Sequence, residues 1–240
     1  MNPREGQVGA AAVLGIGIII AAAIGAYAFW SVHALDNTLA VTGSSTQNVK
    51  ADAAKWTVTV SRTSSQDGIP STEARVSNDA QIVVTFFSAA GIAADKITVS
   101  PVFADQNYSS DTNAPLTYNV HEDVSIASDN PELVQTLSKQ VSTLSAKGVF
   151  VSPQAPEYYV TTLPQIRVAL IGSAVTDARA RAMQIASSTG QRVGALQSAS
   201  GGVIQVMAPN SVDVSSDGSY DTSTIDKQVM ETVHAVFFLK

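Results

Sequence analysis

The run VGAAAVLGIGIIIAAAIGAYAFW, Val8 to Trp30, is 23 residues without a charge. As a helix rising about 1.5 Å per residue it reaches about 35 Å, enough to cross a hydrocarbon core of about 30 Å. Tyr27, Phe29 and Trp30 stand at its far end, where an interfacial aromatic belt belongs. Arg4 lies before the run, partly offset by Glu5, and Asp36 is the first charge after it. The positive-inside bias then leaves the N-terminus in the cytoplasm and exports the rest. The expected organisation is a cytoplasmic N-terminus at 1–7, a single-pass transmembrane anchor at 8–30, a connector at 31–37 and a folded domain at 38–240. Ala26-Tyr27-Ala28 and Val32-His33-Ala34 have the form of signal-peptidase sites. The run is longer than the 7–15-residue core of a cleavable signal, so the anchor is the reading its length favours. A buried core helix is the remaining alternative. Gly17, Ala21 and Gly25 recur every four residues, a ridge of small side chains on which a second membrane helix can pack.

Beyond the run the pattern alternates between strand and helix. Trp56, Val58 and Val60 alternate with Thr57, Thr59 and Ser61, the period of a half-buried strand. Residues 38–64 therefore read as two strands. Ala80, Val83, Val84, Phe87 and Ala90 fall at helical spacing, with Gly91 placed to close a helix over 69–90. Strands are expected at 96–103 and 116–128, with a polar loop at 105–115. Asn130-Pro131 is an N-cap followed by proline in the first helical position. Leu133, Val134, Leu137, Val141 and Leu144 form the stripe of that helix, and Gly148 ends it. AAGIAADKITVSP (89–101) and AKGVFVSP (146–153) both run from a helix end through glycine and a strand to Ser-Pro. That echo suggests two similar strand–helix–strand units.

A further helix opens at Pro164 and reaches Ser188, with Gly172 inside it as a candidate kink. Its packing face is read as Ala174, Ala178, Ala182 and Ile185, together with Ile166 and Leu170. Arg179 and Arg181 are two residues apart, about 200° round a helix, so a straight helix cannot aim both into one pocket. Asp177 stands four residues before Arg181, the favourable order for an ion pair. The segment reads as a docking helix with a solvated charged side. Strands follow at 195–208 and 229–240, separated by a Ser/Asp-rich loop at 210–226.

The whole pattern resembles the SIMPL-domain family, which includes bacterial periplasmic immunogenic and oxidative-stress-defence proteins. The segments that carry the likeness are LAVTGSS, DKITVSPVF, YNVHEDVSIASDNPELVQTLSKQVSTLSAKG and AVTDARARAMQIASSTGQRVGAL, within residues 38–240. The family usually has Pro-Asp before its second strand, where this chain has Ala51-Asp52. The resemblance implies an α/β (α+β) fold with repeated strand–helix–strand units on a largely antiparallel sheet, here preceded by one transmembrane helix. It implies homo-oligomerisation into a ring- or cage-like scaffold and no established catalytic activity. The family often has a cleavable signal, whereas this apolar run reads as an anchor; run and resemblance together give the expected place, the bacterial inner membrane with the C-terminal domain in the periplasm.

Chemistry-bearing motifs are sparse. The chain has no cysteine, so no thiol chemistry. Fourteen basic against twenty acidic residues argue against a nucleic-acid partner. The expected partners are the lipid bilayer and further copies of the chain. His33, His121 and His234 are far apart and lack metal-ligand spacing. In His121-Glu122-Asp123 a strand puts His121 and Asp123 on one face and Glu122 on the other. Asp213, Asp217, Asp221 and Asp226 offer oxygens that calcium favours, without the alternating spacing of a calcium loop. No nucleophile elbow, Walker loop or dinucleotide fingerprint occurs. No catalytic, cofactor-binding or metal-binding residue is therefore assigned, and no cofactor is expected. A periplasmic module binding a small molecule, peptide or envelope polymer is the second reading; a hydrolase with an unrecognised site is the third.

Overall fold

A computed structural model describes residues 3–33, 37–108, 114–211 and 214–240, with side chains of the first stretch at 14–29. Helix α1 spans Pro3–His33. Throughout 14–29 its side chains are exposed on every side, Leu14, Ile16, Ile18, Ile19, Ile20 and Ile24 included. Among the described residues no helix is long and apolar enough to cross a membrane. The remaining chain is mixed α/β with largely antiparallel sheets. It divides into a larger unit (46–170 and 203–230) and a smaller one (up to 45, 171–202 and 231–240).

In the larger unit β2 (Ala53–Ser65) and β5 (Thr117–Ser128) form an antiparallel pair in register from Ala54↔Ser128 to Ser65↔Thr117. Helix α2 (Ile69–Ala89) follows β2, and α3 (Pro131–Gln140) follows β5, tightening into a 3-10 turn over Val141–Lys147. The strand after each helix crosses over to pair with the other central strand. β3 (Ile97–Val99) and β4 (Phe103–Asn107) pair with β5, while β6 (Val151–Pro153) and β7 (Glu157–Tyr159) pair with β2. The internal echo is thus a split β-α-β-β-α-β sheet of ferredoxin-like topology. The expected strand at 96–103 breaks in two because Pro101 cannot donate to a ladder.

Both helices cover one face of this sheet. Trp56, Val58, Val60, Val120, Val124 and Ile126 share one core with Val76, Ala80, Val83 and Phe87 of α2, Val134 and Leu137 of α3, and Val141 and Leu144 of the 3-10 turn. Trp56 and Phe87 pack edge to face at 5.5 Å. The Asn130 side chain accepts from Leu133 N at 3.1 Å, as its N-cap position predicts. Gly148 ends the 3-10 turn at φ 77°, a left-handed conformation that favours glycine. On the face left open, polar side chains alternate out of β2 and β5. Elsewhere in this unit Leu170, Val206 and Val229 form a small core with Val49 and Ile166. β9 (Gln205–Met207) pairs antiparallel with β11 (Asp226–Leu239), and β10 (Ser219–Tyr220) lies parallel to β9. The expected strand at 195–208 is therefore two strands, interrupted at 202–204, and the expected loop at 210–226 contains β10.

In the smaller unit β11 lies between β1 (Thr38–Lys50) and β8 (Val193–Gly201). Helix α4 (Leu163–Ser188) presents Ala178 and Ala182 to Ala235 and Phe237, with Leu39, Val41 and Val193 around them. The buried stripe of α4 is Leu170, Ala174, Ala178, Ala182 and Ala186. Ile185, expected on that face, is instead 47% exposed. A four-residue repeat drifts about 40° per step, so by the end of α4 the buried direction has turned to Ala186, about 100° from Ile185. Gly172 lies inside the unbroken helix, and a Cβ there would meet nothing within 4 Å. Gly172→Ala is accordingly expected to stabilise the protein by about 0.5–1 kcal/mol, read as a raised urea midpoint with unchanged slope.

Candidate functional site

The open face of the ferredoxin-like sheet is the strongest binding candidate in the larger unit. Lys55, Thr57, Thr59 and Ser61 stand on it from β2, opposite Ala127, Ser125, Asp123 and His121 of β5. The hydroxyls are tied across the strands. Thr57 Oγ1 and Ser125 Oγ lie 2.8 Å apart, and Thr59 Oγ1 donates to Asp123 Oδ1 at 2.6 Å. Asp123 N donates to Ser100 Oγ at 2.9 Å. His121 stacks on Phe103 at 5.6 Å, with its Nδ1 3.6 Å from Asp105 Oδ2. At one end of the face a hollow of about 300 Å³ is lined by Lys55, Thr57, Lys96, Thr98, Ser125 and Gln154, with Asp95 and Glu157 beside them. Such a hollow has the volume of the smallest ligand sites, and its walls mix charges of both signs and hydroxyls with the apolar surfaces of Trp56, Ile126, Ala127 and Ala155. Glu122 points the other way, as strand alternation requires: it is buried and accepts from Ser77 Oγ of α2 at 3.1 Å.

In the smaller unit two of the segments quoted above meet. A Cβ on Gly43 would lie 2.1 Å from Ala174 O and 2.4 Å from Ala178 N, so only glycine lets β1 approach α4 this closely. The next residue completes the lock: Ser44 N donates to Asp177 Oδ2 at 2.9 Å. Arg181 Nε donates to the same oxygen at 2.7 Å, the expected i,i+4 pair. The Ser44 amide and the guanidinium hold the Asp177 carboxyl below its ordinary pKa against a smaller opposing effect of burial. Arg179 is exposed. LAVTGSS and AVTDARARA thus act together as a strand-to-helix clamp. His234 Nδ1 lies 2.8 Å from Thr42 Oγ1 in the same unit.

In the sequence Asp221 reads only as a possible calcium ligand and Lys227 is not singled out; in the structure Lys227 is buried and Asp221 is its partner. Lys227 Nζ donates to Asp221 O and lies 3.4 Å from Asp221 Oδ2, with the Tyr220 ring 5.9 Å away. Asp221 also accepts from the backbone and hydroxyls of Ser223 and Thr224. Burial pushes its carboxyl up, but these donors and the ammonium together bring it well below the usual carboxylate range. Burial lowers the Lys227 ammonium, partly countered by Asp221. The signal was present in the sequence: counting back by two from Phe237, Ala235, Val233 and Val229 places Glu231 and Lys227 on the buried side of β11.

Asp221 therefore anchors a turn. Asp213 lies outside the described residues. Asp226 sits 3.7 Å from Lys50. Among the described residues no three metal-ligating side chains cluster. Asp52 has a similar anchoring role: it accepts from Thr161 N at 2.7 Å and from Thr161 Oγ1 at 2.9 Å just before α4. Ala51 before it is buried. On α1, Gly17, Ala21 and Gly25 are exposed, as are Tyr27 and Phe29. The side chains of Trp30 and His33 lie outside those described.

Fold and site define a mixed α/β chain whose larger unit carries a split β-α-β sheet with a polar open face, and whose smaller unit is closed by a glycine-dependent clamp. The chain belongs to the SIMPL family: the family model, described as "Protein of unknown function (DUF541)", matches residues 39–237. No curated protein matches the chain.

Proposed function

We propose that this protein is a membrane-anchored, non-enzymatic envelope protein that self-assembles into a homo-oligomeric scaffold or channel-like ring. The observation that carries the anchor is α1. Its apolar side chains from Leu14 to Phe29 are exposed around the whole circumference. A helix apolar on all sides is stable only where something apolar surrounds it, and a bilayer does so without a protein partner. The exported orientation rests on Arg4, in the first turn of α1 ahead of the uncharged run. The periplasmic side, the self-assembly and a link to stress defence rest on what resemblance to the SIMPL family implies. The lack of a nucleophile–base pair in the sequence motifs supports a binding or scaffolding role.

The full chain is expected to float with liposomes and to resist extraction by alkaline carbonate, whereas a variant starting at Asn37 stays in the aqueous fraction. Light scattering on the detergent-solubilised chain should give a mass of several copies. A carbonate-extractable or strictly monomeric full chain at micromolar concentration would remove the reading. The hollow beside Lys55 and Lys96 favours a second reading, a module binding a small polar ligand; calorimetric titration with candidate ligands, compared with Lys55→Ala, tests it.

A further inference from the structure

The smaller unit ends its sheet on an edge that is irregular between Val193 and Ser198 but, from Ser198 to Gly201, lacks the devices that normally guard one. β8 pairs with β11 on one side and, among the described residues, with no strand on the other. From Ala195 to Gly201 every residue is exposed. Val193–Gly201 contains no charge and no proline. Edge strands are usually protected by lysine, proline, bulges or a covering element, because unpaired backbone groups template further pairing.

The register identifies which groups face outward. Gly202 N donates to Thr232 O at 2.7 Å, and Ser200 and Ser198 pair with His234 and Val236. Antiparallel ladders alternate bonded and non-bonded pairs. Counting from 202, the backbones of Ser200 and Ser198 face β11, and those of Ala199 and Gly201 face outward. The register shifts opposite β11 fall between Ser198 and Val193, which leaves Ser198 to Gly201 regular.

We infer that this edge is an interface between two copies of the chain, paired antiparallel about a two-fold axis at Ser200. The inference rests on the self-assembly proposed above and gives it a surface. With the axis at Ser200, Ala199 of each copy lies opposite Gly201 of the other. Both outward residues then exchange N–H···O bonds, four across the seam. Ser200 faces its own copy in a non-bonded pair, whose Cβ atoms are about 4.5–5.5 Å apart. A two-fold seam sets each residue near its centre against itself, so a charge there would repel its twin; none is present. A foreign extended peptide fits less well. Strand addition takes its selectivity from pockets beside the edge, and both faces of β8 are exposed.

The chain's lack of cysteine makes the test direct. Ser200→Cys in the full chain in detergent should oxidise to a disulfide-linked dimer, with at least a tenfold excess over Gln135→Cys, an exposed control on α3. Ala199→Pro removes one outward N–H and no bond to β11, and should shift the scattering mass towards a single chain while circular dichroism is unchanged. Ala199→Lys, which keeps every backbone group, should do the same if the proline variant is poorly folded. An oligomer that persists in both Ala199 variants, with Ser200→Cys no more reactive than the control, overturns the interface and leaves self-assembly standing. A wild-type chain that is monomeric overturns both.

Discussion

Gly43→Ala is expected to cost at least about 3 kcal/mol, at the top of the range for overpacking a close-fitted site. The added methyl would sit 2.1 Å from Ala174 O and 2.4 Å from Ala178 N. Both are backbone atoms, so no rotamer change relieves the clash. Either β1 or α4 must move, and the bond from Ser44 N to Asp177 is then lost as well. Urea denaturation followed by circular dichroism should show the midpoint fall. Adding Ala178→Gly should restore little, because it removes only the side-chain contact at 2.7 Å. A double variant as stable as the wild type would show that helix backbone does not set the distance. The contrast with Gly172 is instructive: both are glycines in the segments that build this unit, yet one is open and the other is closed by backbone.

Asp221→Ala should cost about 3 kcal/mol, the lower end for removing one partner of a buried pair, since Lys227 keeps the backbone carbonyl of residue 221 as an acceptor. Lys227→Met in the same chain should recover most of that loss, because it takes away the uncompensated ammonium. The milder Asp221→Asn gives a pH test. Asp221 has a folded pKa below its unfolded value of about 3.9. Its contribution is therefore fully present above about pH 4 and is lost as pH falls through the folded value. Below pH 4 the wild type should lose up to about 1.4 kcal/mol more per pH unit than Asp221→Asn. Parallel acid limbs in the two proteins would show that Asp221 is not held below its ordinary range.

Much of the larger unit was legible because each of its sheet strands has one clear face. Trp56, Val58 and Val60 announce a strand, and the same alternation sends Glu122 inward between His121 and Asp123. A buried acid was readable there, but not its partner Ser77, which arrives from α2 and is 45 residues away in sequence. The repeat of Ser-Pro after each helix was readable too. That each short strand pairs with the other central strand was not, since pairing depends on where the helix returns the chain. Ile185 shows the limit of a helical wheel: an ideal apolar position lost its place to Ala186 because the stripe on α4 turns as it climbs. The Asp-rich segment misled for a related reason. Composition suggests a loop, whereas Asp221 organises a turn around a lysine six residues further on.

By itself the sequence determined the periodic features: the long uncharged helix, the strand and helix alternation, the caps at Asn130 and Gly148, and the Asp177–Arg181 pair. These depend on neighbours a few residues apart, where chain geometry leaves little choice. Only the tertiary structure decided that Gly43 admits the backbone of α4, that Lys227 is buried on Asp221, and that β8 is left with an open edge. Gly43 meets α4 only when a long stretch of chain closes, Asp221 reaches Lys227 only because the six residues between them fold back, and no local pattern encodes which groups will meet or remain unpaired.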